Sequence, residues 1–347
     1  MNLPTEPIKS AKEAGLRYVT DTGPGIAREK RGKNFVYVQP DEKLLRDRDE
    51  LIRIKRLAIP PAWTDVWICP SANGHVQATG RDARGRKQYR YHSLWREVRD
   101  SNKYDRMMDF AKALPKIRQR VQRDFKLKGL PRDKIIATLV RLLEKTLIRI
   151  GNDEYARENQ SYGLTTMRNR HAKVSGERST FEFYGKSHRH HMISVDDPIL
   201  AKIVKRCRDL PGYELFQYVD PEGQRQKLHS DDVNQYLREI TGEDFSAKDF
   251  RTWSGTVMAF LALKQFPKFG SSTRAARNVV QAVEAVARAL GNTPAVCRKC
   301  YIHPAILDSY VNGSWFRNGQ RISRQKRAPS KLRAEEIAVM MLLQRIG

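Results

Sequence analysis

Apolar and polar positions follow two different periods along this chain, and the change of period divides it. Short strand-like runs come first: Phe35-Val36-Tyr37-Val38, Val66-Trp67-Ile68-Cys69, and His75 through Thr79. One helix is expected among them, over Asp41–Leu57, with Leu44, Leu45, Leu51, Ile52 and Ile54 apolar and Pro60-Pro61 as its stop. Residues 1–33 carry no such pattern and read as loosely structured, ending in Gly23-Pro24-Gly25 and the basic run Arg28–Lys33. A basic turn, Gly80 to Arg86, leads into a last run from Lys87 to His92, closing a small β-rich module near residue 98.

Beyond it the period lengthens to that of a helix. Ile136, Leu139, Leu143, Leu147 and Ile150 fall three or four apart behind Pro131 and Asp133, with Gly151 as the expected left-handed cap. Arg149 is thereby expected in the last helical turn. Phe181–Tyr184 and His191–Val195 read as strands joined through Gly185-Lys186, and a second hairpin is expected around Pro221-Glu222-Gly223. Helices follow at Asp231–Ile240, Thr252–Gln265, Ala275–Leu290 and from about Lys331. The expected fold class is α+β, with a β-rich domain over residues 1–98 and a larger, mainly helical domain over residues 99–347.

Charge changes this picture more than size does. The 347 residues carry 65 Lys and Arg against 39 Asp and Glu, a net charge of +26. A merely solvated surface mixes both signs, whereas an excess spread over the whole length suits a long polyanion lying across several elements. Met1 to Lys30 is polar, and no run approaches the about 18 apolar residues of a membrane span, so neither an export signal nor a membrane anchor is expected. Cys69, Cys207, Cys297 and Cys300 in a chain of this size point to a reducing compartment, hence the cytoplasm.

Within this field one tyrosine and several fixed cations stand in order. Tyr301 follows the punctuation Gly291-Asn292-Thr293-Pro294, just past an expected helix start. A phenol is a weak nucleophile with a pKa near about 10, so its attack on a phosphodiester needs cations that favour the phenolate. Arginine forks match the non-bridging oxygens of pentacoordinate phosphorus, and a lysine of lowered pKa can protonate the leaving 5′ oxygen. Arg149, Lys186, Arg251, Asn292 and Tyr301 supply each role once. Such an exchange needs no cofactor and no metal, and none is expected.

Each of these residues has a plainer reading beside the catalytic one. Arg149 could answer the dipole at the end of its helix, Asn292 could cap the helix that starts at Pro294 unless Thr293 does so, and Tyr301 could pack. Gly185-Lys186-Ser187 imitates the tail of a nucleotide-binding loop, but Thr180 stands where that loop has glycine. Cys297 and Cys300 fall short of the four ligands of a zinc site, with Cys69 and Cys207 isolated, and read as packing. His188, His190 and His191 suggest metal or acid–base work, or more plainly a basic hairpin facing DNA. Tyr89 and Tyr91 share one strand face and Gln88 takes the other; Gln88 could reach a base edge and the tyrosines sugar or phosphate. Arg317, Arg321, Arg324, Lys326, Arg327, Lys331 and Arg333 read as a basic surface beside DNA.

The flanking residues are more specific. Leu147-Ile148-Arg149-Ile150-Gly151-Asn152-Asp153-Glu154-Tyr155-Ala156, followed by Glu158 through Thr166, resembles the type IB DNA topoisomerases of the compact poxvirus and bacterial group. Phe183-Tyr184-Gly185-Lys186 is similar to that family's catalytic-lysine hairpin, and Lys248 through Trp253 to its second arginine motif. Gly291 through Tyr301 is similar to its nucleophile segment, and Gly80-Arg81-Asp82 with Gly85 through Tyr89 to its DNA-reading part. Many members carry histidine where this chain has Asn292, while some bacterial relatives have asparagine.

The resemblance implies a clamp around duplex DNA that acts as a monomer. It implies relaxation of supercoils through a 3′-phosphotyrosyl bond to Tyr301, with Arg149, Lys186, Arg251 and Asn292 as catalytic partners. It also implies DNA contact for Arg81, Gln88, Tyr89, Tyr91, Tyr155 and Lys248. Two rivals remain open. A tyrosine site-specific recombinase usually has histidine three residues before its second arginine, and here Lys248 stands there. A basic architectural protein would bind DNA without forming an adduct.

Overall fold

The computed structural model describes residues 14–315 and 331–346, apart from Lys33, Arg84 and Arg86, together with Ile8, Ala11 and Lys12. Side chains are described for these except residues 96–103, 105, 154, 155 and 346. The expected basic cluster at Arg317, Arg321, Arg324, Lys326 and Arg327 lies outside the described residues. The chain divides into two units, residues 1–105 and 106–347.

The first unit is one antiparallel sheet in the order β2-β1-β3-β4-β5. Its strands are β1 (Ile26–Arg31), β2 (Asn34–Val38), β3 (Thr64–Ile68), β4 (Val76–Arg81) and β5 (Lys87–Tyr91). Helix α1 (Arg48–Arg56) sets Ile54 against Ile26, Val66, Ile68 and Ala78. Two expectations need correction. The basic run read as loose is strand β1, because β2 pairs with it from Ala27↔Val38 to Arg31↔Asn34 and supplies order that the charged residues do not signal. Helix α1 starts at Arg48 rather than Asp41, because Asp47 caps it by accepting from Glu50 N at 2.8 Å. Leu44 and Leu45 belong instead to extended backbone beside β2, where Leu45 N donates to Tyr37 O at 2.8 Å.

Helix α2 (Ser93–Asp124) runs through the division between the units. In the second unit, α3 (Arg132–Thr146) is enclosed on nearly all sides, with Ile135, Ile136, Leu139, Val140, Leu142 and Leu143 buried. The short helix α4 (Asp153–Asn159) precedes a three-stranded antiparallel sheet ordered β6-β7-β8, from Ala172–Ser175, Arg178–Gly185 and Arg189–Asp196. Then come α5 (Pro198–Arg208), a small hairpin of β9 (Gln217–Val219) and β10 (Arg225–Lys227), α6 (Ser230–Thr241) and α7 (Ala247–Lys264). The chain continues through α8 (Ser272–Leu290), α9 (Pro294–Cys300), α10 (Pro304–Val311) and α11 (Ala334–Ile346). Helices α3, α7, α8 and α9 and the β7–β8 hairpin, with the turns that end them, position Arg149, Lys186, Arg251, Asn292 and Tyr301. None of the described helices is long and apolar enough to cross a membrane.

Candidate active site

The end of α3 decides where Arg149 goes. Thr146 Oγ1 donates to Leu142 O at 2.6 Å and accepts from Ile148 N at 3.2 Å, and Leu147 turns left-handed with φ of 57°. The helix therefore stops before Arg149, correcting the expectation of a cap at Gly151. The following backbone is bonded elsewhere: Arg149 O accepts from Leu164 N at 2.9 Å and Ile150 O from Thr165 N. Two glycines permit this crossing. A Cβ on Gly163 would lie 2.5 Å from Gly151 N and 2.6 Å from Arg149 O, and Gly151 itself has φ of +110°.

Arg251 rises from α7, whose first turn is fixed by Asp249 Oδ2 accepting from Ser246 N at 2.8 Å and Ser246 Oγ at 2.9 Å. Its side chain donates to the carbonyls of Leu147 and Leu290, the latter at 2.8 Å. These acceptors lie at the carboxyl ends of α3 and α8, where helical carbonyls lack partners of their own. One guanidinium thus ties two helix ends together while only 5% exposed. Its Nε is buried without a partner.

Gly291 closes α8 with φ of 61° and turns the chain towards α9. Thr293 is the cap of α9, accepting from Val296 N at 3.3 Å, which leaves the Asn292 side chain for another use. Asn292 Oδ1 accepts from Arg149 Nη2, and its carbonyl accepts from Arg189 Nη1 at 3.3 Å. Asn292 Nδ2 is buried and makes no hydrogen bond of ordinary geometry.

Tyr301 is the carboxyl cap of α9, and so lies at the end of that short helix rather than just past its start. Its ring lies 5.2 Å from Arg251 Cζ, and its hydroxyl has no hydrogen-bond partner among the described residues.

Lys186 follows β7 directly, in a tight connection where Ser187 and His188 take φ of 64° and 55°. It is exposed and unpaired among the described residues. Arg149, Lys186, Arg251, Tyr162, Phe183 and His191 line one cleft of about 310 Å³, counted with its open mouth. Tyr301 and Asn292 border it through the two arginines. Burial first, and then the Arg251 charge, push the Arg149 guanidinium below its ordinary value. Burial raises the Cys297 thiol against the opposing pull of Arg251 and the Asn292 amide, so this fully buried cysteine stays a packing thiol. No group of three or more metal-ligating residue types gathers among the described residues.

The family model of the eukaryotic DNA topoisomerase I catalytic core matches residues 92–326, and that of the bacterial DNA topoisomerase IB N-terminal domain matches residues 34–82. DNA topoisomerase 1B of Acanthamoeba polyphaga mimivirus is 33% identical over 301 residues, covering 84% of this chain and 89% of the viral protein. The chain belongs to the type IB DNA topoisomerases. Its similarity extends to the DNA topoisomerase 1B of Vaccinia virus (strain Copenhagen), 22% identical over 74% of this chain and 80% of that protein. It also extends to DNA topoisomerase 1 of Rabbit fibroma virus (strain Kasza), 22% identical over 80% of this chain and 90% of that protein. All three are named as topoisomerases rather than recombinases.

The remaining residues singled out in this type IB topoisomerase are not among those lining the cleft. In the first unit Tyr89 and Tyr91 stack at 5.7 Å on one face of β5, with Tyr89 44% exposed. Gln88 Nε2 donates to Asp82 Oδ2 at 3.1 Å, and Arg81 Nη1 donates to Gly85 O at 2.8 Å. In the second unit Lys248 is exposed in the first turn of α7, three residues before Arg251, and does not line the cleft. Tyr155 lies in α4, its side chain outside those described.

His191 also lines the cleft, whereas the sequence offers it only as one of three hairpin histidines suited to metal or acid–base work or, more plainly, to a basic DNA-facing hairpin. Strand alternation through His191, Ile193 and Val195 was the available signal, since these point inward while Met192 and Ser194 are exposed.

Proposed function

We propose that this type IB topoisomerase relaxes supercoiled duplex DNA by passing one strand to Tyr301 and back. The Tyr301 oxygen attacks phosphorus, a 3′-phosphotyrosyl bond forms, and the bond to the 5′ oxygen breaks. Lys186 gives the leaving oxygen its proton, and the proton lost by the phenol passes to water, from which Lys186 is recharged, so the exchange balances without nucleotide. Arg149 and Arg251 hold the non-bridging oxygens, where charge grows as phosphorus becomes pentacoordinate. Asn292 orients Arg149 through its Oδ1 and offers its amide to the same phosphate. Rotation of the free end removes supercoils, and the 5′ hydroxyl then reverses the step.

The observation that carries this reading is the convergence of Arg149, Lys186 and Arg251 on one cleft, with Arg251 Cζ 5.2 Å from the Tyr301 ring. Both arginine side chains are largely removed from water by the protein, so a phosphate entering between them meets fixed charge rather than side chains that must first be ordered.

Residues 1–98 form the DNA-binding domain in this reading and 99–347 the catalytic one, closing as a clamp around the duplex. Arg81, Gln88, Tyr89, Tyr91, Tyr155 and Lys248 contact DNA. The protein works as a monomer on the nucleoid in the cytoplasm. The test is relaxation of a supercoiled plasmid in chelator without nucleotide, quenched with detergent to trap the covalent adduct. Wild-type protein is expected to relax and to leave an adduct. Tyr301→Phe is expected to bind DNA and do neither, and full relaxation by that variant overturns the assignment. Salt-sensitive binding by the wild type without any adduct selects the architectural alternative.

A further inference from the structure

One titratable ring in the cleft has no part in the chemistry above. His191 faces Phe183 across the β7–β8 pairing, and the two rings stack at 5.2 Å and 19°. Two glycines clasp the same imidazole. A Cβ on Gly185 would lie 2.8 Å from His191 Cδ2, and a Cβ on Gly291 would lie 2.8 Å from His191 Cε1. The ring is therefore held between the last residue of β7 and the turn that leads into Asn292. Two other parts of the chain, β7 and the turn after α8, fix its position.

Its polar atoms, by contrast, are unused. Neither ring nitrogen has a hydrogen-bond partner among the described residues, although the ring is half-buried and lines the cleft with Arg149, Lys186 and Arg251. The charges that bear on it are Arg149 from the stretch after α3, Arg251 from α7, and Arg189 and His190 from its own strand. The carboxylate on the facing strand, Glu182, pairs with His190 at 3.2 Å instead. Burial first, and then these positive groups, hold the imidazole below its ordinary pKa and hence neutral. A neutral imidazole always keeps one N–H to donate. In a cleft whose other groups are cations, the missing acceptor is an anion.

We propose that His191 is a further phosphate-contacting residue, donating one hydrogen bond to a non-bridging oxygen of the phosphodiester, a role that rests on the strand transfer proposed above. The arriving phosphate cancels part of the arginine field that keeps the ring neutral. The ring's N–H then meets an oxygen whose charge increases towards pentacoordinate phosphorus, so the contact strengthens as reaction proceeds. Packing alone accounts for the stack on Phe183 and the glycine clasp, but not for a partnerless imidazole edge in an anion-binding cleft.

The test is single-turnover adduct formation on a duplex whose cleaved end cannot be resealed, with wild type, His191→Phe and His191→Gln. Phenylalanine keeps the ring and its stack but removes the donor, whereas glutamine keeps a neutral donor. His191→Phe is expected to cleave about a hundredfold to a thousandfold more slowly with unchanged duplex binding, on the scale of one lost oxyanion donor. His191→Gln is expected to recover most of that loss. The same proteins are then compared on the two methylphosphonate isomers of the scissile linkage. The phenylalanine penalty is expected to vanish on the isomer lacking the contacted oxygen and to persist on the other.

An undiminished rate in His191→Phe, or an equal penalty on both isomers, overturns the inference while leaving strand transfer standing. A wild type that forms no adduct overturns both. Should His191→Phe fail to fold by circular dichroism, His191→Leu replaces it in the same comparison.

Discussion

Gly255 in α7 lies so close to Tyr301 that a Cβ there would come within 2.5 Å of the tyrosine carbonyl oxygen and 3.2 Å of its Cβ. In a helix interior glycine costs about 1 kcal/mol relative to alanine, so Gly255→Ala ought to stabilise α7 on propensity alone. The close approach reverses that expectation, because backbone cannot yield as a flexible side chain does. Alanine is expected to push the end of α9 outward and carry the phenol away from Arg251. Adduct formation should fall at least tenfold, since small misplacements of a nucleophile cost large factors in rate. Thermal stability should fall by no more than about 2 kcal/mol, the overpacking penalty less the helix gain. A Gly255→Ala protein that cleaves at the wild-type rate would show that Tyr301 does not depend on this contact.

The pairing of Arg149 with Asn292 separates the effects of charge and of positioning. Asn292→Ala removes the acceptor that orients Arg149 and is expected to slow cleavage about a hundredfold, the scale of a small misplacement, with little change in stability because the site is partly open. Asn292→Asp keeps the acceptor and adds a negative charge beside Arg149. Aspartate there should tighten the arginine contact yet repel the phosphate, so it should cleave more slowly than alanine and bind duplex more weakly. The reverse order of rates, measured in the same single-turnover assay, would mean that Asn292 acts by holding Arg149 and that local charge is secondary.

The elements that were readable are those whose order arises within themselves. Helix α8 carries an apolar stripe and ends at Gly291, and the β7–β8 hairpin alternates on both strands, so each was expected within a few residues of where it lies. Elements fixed by remote partners were misread. Strand β1 has four charged residues among its six and is ordered by pairing with β2, and Leu44 beside α1 looks helical by spacing but is extended. The end of α3 depends on the Thr146 hydroxyl and on a guanidinium 104 positions away in sequence. Long helix α2, with its low amphipathic contrast and internal Pro115, and the short α4 gave no signal strong enough to delimit them. Helix α5 carried one, in Asp197-Pro198 at its start and the buried stripe Leu200, Ile203, Val204 and Cys207, that the reading passed over. Arg149, Lys186 and Arg251, which line the cleft, and Tyr301, which borders it, were legible as a family pattern. His191 was legible only as one of three hairpin histidines, because its place in the cleft depends on which strand face it occupies and on the two glycines that clasp it.

Acid is expected to destabilise the catalytic unit through His171. This ring is buried, accepts from Arg168 N at 3.1 Å, and lies 4.5 Å from Tyr162, which lines the cleft. Burial first, then Arg170 and Arg168, lower its pKa from 6.5 to about 4. The folded state thus favours the neutral ring, and below pH 6.5 the unfolded chain binds the extra proton. The associated stability is fully present above the unfolded value and is lost as pH falls towards about 4. By about 1.4 kcal/mol per unit, the loss reaches up to about 3 kcal/mol. His171→Gln should be less stable at neutral pH but lose less between pH values of about 7 and 4.5, as read by denaturant midpoints. Parallel pH curves for the two proteins would remove His171 as the source.

The carboxyl-terminal helix is held by an ion network rather than by its apolar face alone. Arg118 of α2 donates to both oxygens of Glu336 in α11, at 2.6 and 2.9 Å, and to Glu144 of α3 at 2.9 Å. Arg333 Nη2 reaches Glu144 at 2.8 Å, and Arg333 N reaches Glu336 at 2.8 Å. Glu336 is buried, its carboxyl held below the ordinary range by Arg118 and the Arg333 backbone despite the cost of burial. Glu336→Gln leaves buried Arg118 and half-exposed Arg333 sharing one carboxylate, and breaking the buried Arg118 pair costs about 3 kcal/mol or more. Helix α11 packs on α7, which carries both Arg251 and Gly255, so two outcomes are distinguishable. If the network acts only on stability, Glu336→Gln lowers the denaturant midpoint while the cleavage rate per folded molecule at neutral pH stays unchanged. A slower rate in protein that is fully folded by circular dichroism would instead make α11 a positioning element for the cleft.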